Sequence, residues 1–387
     1  MRARDLGIAI GFGRPGPNNA ITDVEGVTVG HTTLIEGEGP LSVGHGPVRT
    51  GVTVVLPRAS GSWTELVFAG CHRLNGNGEL TGLEWVRESG QLSGPIAITN
   101  THSVGVVRDA LVAASVSRTT NPELWWSLPV VGETYDGVLN DINGFHVRPE
   151  HVEAALDSAS PGPVTEGNVG GGTGMICHEF KGGIGTASRV VAEVDGGFTV
   201  GVLVQANHGR RDWLRVDGVP VGTAIDHRAV PSAWDDGDEA DDAGDRYSRG
   251  LPPPGSGSII VIVATDAPLL PHQCDRLAQR AGLGIARAGA TGGHTSGDLF
   301  VAFATGNRFP VRVPGAPPVQ ELRGLVDAVI DPLFMATIEA TEEAVVNALI
   351  AAETMTGRDG HVAHALPHDA LLEVMARFGR GPRPGLA

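Results

Sequence analysis

The stretch Pro252-Pro253-Pro254-Gly255-Ser256-Gly257-Ser258-Ile259-Ile260-Val261-Ile262-Val263-Ala264-Thr265-Asp266 joins two regions of different character. Before it, an acidic run ends in prolines and glycines. After it, a small hydroxyl residue opens a continuous apolar run, and Ser258–Thr265 reads as a buried strand. The junction suits a chain that cuts itself before Ser258. The new N-terminal serine would then carry a hydroxyl nucleophile and an α-amine on one residue. A free N-terminal amine has a reference pKa of roughly 7.7–8.0, so near neutrality a useful fraction can take the hydroxyl proton. On composition alone the plainer reading stays open, in which the serine merely starts a strand after a Gly/Pro turn. The chain has no Gly-x-Ser-x-Gly elbow and no His-Glu-x-x-His helix. A hydrolase here must present its nucleophile in another way.

On the N-terminal side of the junction, up to about residue 222, short apolar runs alternate with Gly/Asn/Asp turns. Gly51–Leu56, Pro95–Ile98, Phe198–Val204 and Val219–Val221 read as strands. Helical patterns interrupt them at Leu80–Glu88, Val104–Ser117 and Pro149–Asp157, the last with proline and acids in its first turn. Thr223 to Gly257 is rich in Asp, Gly, Ala and Pro and has little periodicity. Such a composition buries too little surface to offset its ordering entropy, so 223–257 is expected to be a mobile acidic linker where a chain can be nicked. On the C-terminal side, strands are expected at Ser258–Thr265 and Asp298–Thr305. Helices are expected at Pro271–Ala281, Val319–Ile330, Pro332–Met355 and Asp369–Phe378. Both sides mix strands and helices. One sandwich shared by an N-terminal part (1–257) and a C-terminal part (258–387) therefore fits better than two separate domains.

Bulk properties narrow the function. The 56 glycines and 26 prolines point to tight turns and close backbone contacts rather than a helical bundle. Net charge is −16 with no basic stripe, which argues against a nucleic-acid partner. Cys71, Cys177 and Cys274 are odd in number and lack motif spacing, so neither a disulfide framework nor a zinc site is supported. The N-terminus lacks an apolar signal core, and no segment approaches eighteen unbroken apolar residues. A soluble, cytoplasmic protein with no membrane partner is expected.

Four further clusters carry candidate chemistry. In Gly292-Gly293-His294-Thr295-Ser296-Gly297-Asp298, two-residue spacing in extended backbone puts Ser296 and Asp298 on one face, where Asp298 could orient Ser296 and Ser296 could relay to Ser258. His294 falls outside that alternation and ranks lower as a base. Asn207 follows a strand, and its amide is a neutral donor suited to a developing oxyanion. Taken alone, the Ser296/Asp298 cluster reads first as an Asx or Ser turn before a strand, and a turn explains Asn207 equally well. Glu133-Thr134-Tyr135-Asp136-Gly137 combines carboxylates, which an ammonium would need, with a phenol that could donate to an oxyanion; a solvated loop is the alternative. Gly167–Met175 lacks the Gly-Lys-Ser/Thr ending of a phosphate loop and reads better as close backbone packing. His361, His364 and His368 read as surface residues rather than ligands.

Taken in order, a set of motifs resembles the L-aminopeptidase/D-esterase and β-peptidyl aminopeptidase family (DmpA/BapA type). The motifs are Asn75–Gly82, Thr99–Gly105, Glu133–Gly137, Gly170–Met175 with Phe180–Arg189, Val204–Asn207, the Gly257-Ser258 junction and Thr295–Asn307. The resemblance covers nearly the whole chain. It implies an α/β (α+β) fold, a four-layer αββα sandwich shared with ornithine acetyltransferases, and self-cleavage at Gly257/Ser258 into α and β chains. It also implies a homo-oligomer, a tetramer of αβ pairs, with neither a metal nor an organic cofactor. By the same resemblance Ser258 is the nucleophile, Asn207 the oxyanion donor, and Ser296 with Asp298 the supporting pair. Glu133 holds the substrate amine and Tyr135 supplies a hydroxyl near the oxyanion. Some relatives carry tryptophan in place of Tyr135 and glutamate in place of Asp298. The substrate class is a short peptide, amino-acid amide or β-peptide. The rival readings are an acyltransferase, an ω-amide oligomer hydrolase, and an uncleaved protein that binds amino compounds.

Overall fold

The computed structural model describes residues 1–119, 122–234, 257–310 and 319–381. Its long strands sort into two sheets. One has the order β1 (Thr28–Glu36), β2 (Val48–Leu56), β5 (Ile96–Asn100), β6 (Val130–Thr134). The other runs β4 (Gln91–Ser93), β3 (Glu65–Gly76), β12 (Gly297–Pro310), β11 (Ser258–Thr265), β10 (Thr199–Asn207), β9 (Gly183–Val190). A hairpin of β7 (Ile176–Cys177) and β8 (Phe180–Lys181) precedes β9.

Alternation along β11 explains the layering. Ile259, Val261 and Val263 join the core beneath α5 (Pro271–Arg287) and α6 (Asp331–Ala351), whereas Ile260, Ile262 and Ala264 face the other sheet. The continuous apolar run is thus two half-cores read through one strand. On the outer face of the first sheet, Val52, Val54, Ala97 and Val131 pack on α2 (Val104–Ser117) and α3 (Pro149–Asp157). The stack is α, β, β, α. Each Ile or Val so buried contributes on the order of 1.5–3 kcal/mol before entropy is counted. α6 is buried on almost every side, and its buried acids have partners: Glu343 binds Arg4 and Arg189, and Glu339 binds Arg189 at 3.2 Å. Shorter helices α1 (Leu83–Ser89), α4 (Val221–Ala224) and α7 (His368–Arg377) complete the described elements. Among the described residues, no helix is long and apolar enough to cross a membrane.

Three sequence expectations need correction. Val219–Val221 is not a strand: Asp217 and Gly218 take positive φ, Val216 bridges back to Val219, and the chain enters α4. Val319–Ile330 is not an α-helix, and only Asp327–Val329 makes a 3₁₀ turn. Other elements bind its backbone groups: Asn307 holds both the N–H and the carbonyl of Arg323, and Gln273 donates to the Leu325 carbonyl. The linker is also shorter than expected at its start, because Val230, Ser232, Ala233 and Trp234 are buried. The rest of it, 235–256, lies outside the described residues. Smaller differences concern ends: α5 runs on to Arg287, and α6 stops at Ala351, with Met355–Thr356 pairing with Val362–Ala363.

Candidate active site

Strand alternation delivers the first two residues. Leu203, Gln205 and Asn207 of β10 point between the sheets, as do Ser258, Ile260 and Ile262 of β11. The antiparallel register sets Asn207 directly opposite Ser258. Both sit where the strands run out and the sheets part. A cavity of about 590 Å³ opens there, lined by Asn77, Gly78, Glu79, Thr101, Glu133, Tyr135, Val138, Gly174, Ile176, Asn207, Trp234, Gly257, Ser258 and Thr295.

Asn207 is held at both ends of its amide. Its Oδ1 accepts the Ile176 N–H at 2.8 Å, and Nδ2 donates to the Tyr135 carbonyl at 3.0 Å. One Nδ2–H therefore remains for the cavity. The Gly-rich segment makes the first contact possible. A Cβ on Gly171 would lie 2.2 Å from Gln205 Oε1, and one on Gly174 2.3 Å from the Arg49 carbonyl. This stretch threads between the sheets as bare backbone, the close packing its glycines suggested.

Ser258 and the Ser296/Asp298 pair meet through Gly297. Ser296 Oγ donates to Asp298 Oδ1 at 2.6 Å, and the N–H of the intervening Gly297 donates to Ser258 Oγ at 3.0 Å. Ser296 thus reaches Ser258 across a shared peptide unit. Burial pushes the Asp298 carboxyl up to about 6, against the opposing hydrogen bond from Ser296, and its Oδ2 is buried without a partner. The turn is pinned from below: Asn75 Nδ2 donates to the Gly293 carbonyl at 2.8 Å and Asn77 Nδ2 to that of Thr295 at 2.7 Å. The His294 side chain is exposed.

Glu133 closes the opposite wall. The Glu79 N–H donates to its Oε1 at 2.9 Å, and the Thr101 hydroxyl donates to Oε2. Burial raises its pKa above the usual carboxylate value, and the same two donors oppose the rise. A carboxylate so placed gains from an incoming cation. Tyr135 lines the cavity, but its hydroxyl packs over Gly137, where a Cβ would lie 2.4 Å away. Its carbonyl, not its phenol, makes the contact with Asn207.

Several cavity residues escaped the sequence reading. Thr101 and Glu79 lie inside recognised motifs, yet their donation to Glu133 depends on the ends of three elements meeting. Trp234 was assigned to the linker. Gly297 was passed over because it offers only its backbone.

Gly257 is fixed by space. Its φ is +154°, and a Cβ would fall 2.0 Å from the Asn207 carbonyl oxygen. Gly257→Ala should displace the junction from Asn207 and slow any cut at least about tenfold, since even 1.4 kcal/mol of strain in the reacting geometry has that effect. Band ratios on a denaturing gel over time would measure it, and an unchanged rate would refute the geometry.

With the site laid out, comparison with known proteins decides the family. The model for peptidase family S58 matches residues 19–363. The chain belongs to peptidase family S58. Membership carries with it serine-type aminopeptidase activity. The β-peptidyl aminopeptidase BapA of Sphingosinicella microcystinivorans is 52% identical over 380 residues, 98% of this chain and 93% of that protein. The protein of the same description from Sphingosinicella xenopeptidilytica is 47% identical over 98% of this chain and 92% of its own length. Among solved structures, the L-aminopeptidase D-Ala-esterase/amidase of Ochrobactrum anthropi superposes with a TM-score of 0.85 at 47% identity. The match covers 98% of this chain and 99% of that one, and the structure is described as a variant of the Ntn hydrolase fold. The αββα assignment agrees.

Proposed function

We propose that Ser258 is the nucleophile of this aminopeptidase, first against its own chain and then against substrate. The observation that carries the reading is a hydroxyl, a side-chain amide donor and a buried serine–carboxylate pair converging on the junction of a glycine that tolerates no side chain.

In maturation, Ser258 Oγ adds to the Gly257 carbonyl carbon and the C–N bond breaks. The Oγ proton passes to the departing nitrogen, which keeps its own hydrogen and becomes the α-amine, and Gly257 is left as an ester. Water hydrolyses the ester, releasing chains 1–257 and 258–387. In turnover, the free α-amine accepts the Oγ proton as Oγ attacks the first amide of a short peptide, amino-acid amide or β-peptide. The remaining Asn207 Nδ2–H stabilises the oxyanion. The Gly297 N–H steadies Oγ as negative charge develops on it. Tyr135 supports this donor through its carbonyl. The proton returns to the leaving amine, and water cleaves the acyl-enzyme.

Glu133 makes the enzyme exopeptidic by pairing with the substrate ammonium, α or β. Val138, Ile176 and Trp234 give the same cavity apolar walls for the first side chain. A β-amino acid is within its reach, as the names of the two Sphingosinicella relatives suggest. Glu133→Gln keeps the shape and removes the charge. A hydrogen bond to a charged group is worth about 1.5–3 kcal/mol, so KM for free-amine substrates should rise roughly 10- to 150-fold with kcat little changed. Steady-state kinetics on an aminoacyl amide tests this, and an unchanged KM would remove Glu133 from the role.

Ionised Asp298 favours an orderly proton path around Ser258, and the amine must be neutral to act as base. kcat/KM should therefore rise through about pH 6 with Asp298 and again at roughly 7.7–8.0 with the amine. Asp298→Asn should lose only the lower step. Stability runs the other way. Burial raises this carboxyl above its unfolded value of about 3.9, so its contribution is present at low pH and is lost as pH rises through the folded value. A pH profile with no step near 6 in the wild type would overturn the assignment.

The mature enzyme is read as a tetramer of αβ pairs working in the cytoplasm. Three unpaired cysteines suit a reducing compartment.

A further inference from the structure

Behind the oxyanion donor lies a group the reaction does not use. Cys177, His178 and His208 are buried, and one ligand atom from each lies within 4.8 Å of the others. Cys177 Sγ is 3.9 Å from His208 Nδ1. His178 Nδ1 faces the Arg210 carbonyl at 3.0 Å, which fixes the proton there and leaves Nε2 as a bare lone pair. His178 Nε2 and His208 Nε2 are buried without hydrogen-bond partners. The two rings meet edge to face at 5.2 Å, and the N–H of His178 binds the carbonyl of His208.

We propose that Cys177 Sγ, His178 Nε2 and His208 Nδ1 form a binding site for a soft monovalent cation, Cu(I). The donor set is one sulfur and two imidazole nitrogens, the chemistry soft d¹⁰ ions prefer. Bonds of about 2.0–2.3 Å in a trigonal set place donor atoms roughly 3.5–3.7 Å apart, close to the observed Sγ–Nδ1 separation. Charge selects the ion. The site is buried, the three ligands include no carboxylate, and Lys181 and Arg211 lie within electrostatic reach of Cys177 and His178 respectively. A Cu(I)–thiolate pair is neutral there, whereas a divalent ion would leave a net positive charge in a buried site near the Arg211 guanidinium and lack a fourth ligand from the cluster. Binding displaces the thiol proton to solvent, and no redox step is involved. The site also touches the catalytic apparatus covalently: Cys177 follows Ile176, which holds Asn207 Oδ1, and His208 follows Asn207.

The test uses full-length protein purified anaerobically under reducing conditions and equilibrated with Cu(I) against a chromogenic Cu(I) chelator, with Zn(II) as the second arm. The Cys71→Ser background removes the half-exposed thiol. One Cu(I) per chain is expected, with one sulfur and two nitrogen neighbours by X-ray absorption. Cys177→Ser and, separately, His178→Gln should each weaken binding at least 100-fold. Circular dichroism identifies a variant that fails to fold, in which case the other variant and the absorption spectrum decide. Copper retained equally by the folded variants, a shell without sulfur, or tighter binding of Zn(II) than of Cu(I) would each overturn the proposal.

Discussion

Ser258→Ala should give a single uncut chain of 387 residues with activity lowered by about 10³ or more. The substitution removes one oxygen from a buried position, so the fold should survive with little change in stability; the Gly297 N–H loses its partner at the edge of a cavity that water can enter. The chemical loss is twofold. Without Oγ no ester forms at Gly257, the peptide bond stays closed, and no α-amine is released. Without that amine the site has lost its base as well as its nucleophile. Both losses come from one atom, so processing should be absent and turnover should fall to that residual level. Ser258→Cys keeps an attacking atom and should still cut, which separates loss of reactivity from loss of shape. Intact mass and N-terminal sequencing read both outcomes. Full activity in an uncut Ser258→Ala protein would end the mechanism and favour a different nucleophile.

How far the sequence reaches can be judged on single elements. β11 was legible because eight residues carry two half-cores with no polar interruption. α3 was legible because Pro149 and Glu150 mark its start. The 319–330 segment misled because helical spacing there is matched by tertiary partners that take its backbone groups, and Asn307 and Gln273 lie elsewhere in the sequence. The site shows the same divide. Ser296 and Asp298 were found from local spacing, since two residues of extended chain suffice to pair them. Their route to Ser258 was not, because it depends on the parallel register that sets Ile259 against Asp298 and brings the Gly297 N–H to Oγ. The hold of the Tyr135 carbonyl on Asn207 had no signal in the sequence either, whereas its phenol lies over Gly137 in the cavity wall. Backbone roles leave no mark in side-chain identity. The Cys177, His178 and His208 group was invisible for a related reason: His208 lies three strands, β8 to β10, beyond the other two.

Asn207→Ala should lower kcat of the cleaved enzyme by about 10²–10³ and leave KM nearly unchanged. The donor matters most when the carbonyl oxygen carries full negative charge, so its removal is felt in the transition state and hardly in the bound substrate. The same side chain also has a structural task, since Ile176 would lose the acceptor for its N–H. That adds a stability loss of about 1–3 kcal/mol for a buried donor left unmade. Asn207→Asp separates the two. It keeps an acceptor for Ile176 but sets a carboxylate oxygen where Nδ2 now faces the Tyr135 carbonyl and the cavity. Stability should then fall through repulsion at Tyr135, and kcat should fall at least as far as in the alanine variant, because a negative oxygen opposes the one that forms. Maturation should slow in both, so rates must be normalised to the cleaved fraction. A folded, fully cleaved Asn207→Ala enzyme within tenfold of wild-type kcat would assign the oxyanion to another donor, and the Gly297 N–H, already 3.0 Å from Ser258 Oγ, would be the group to examine.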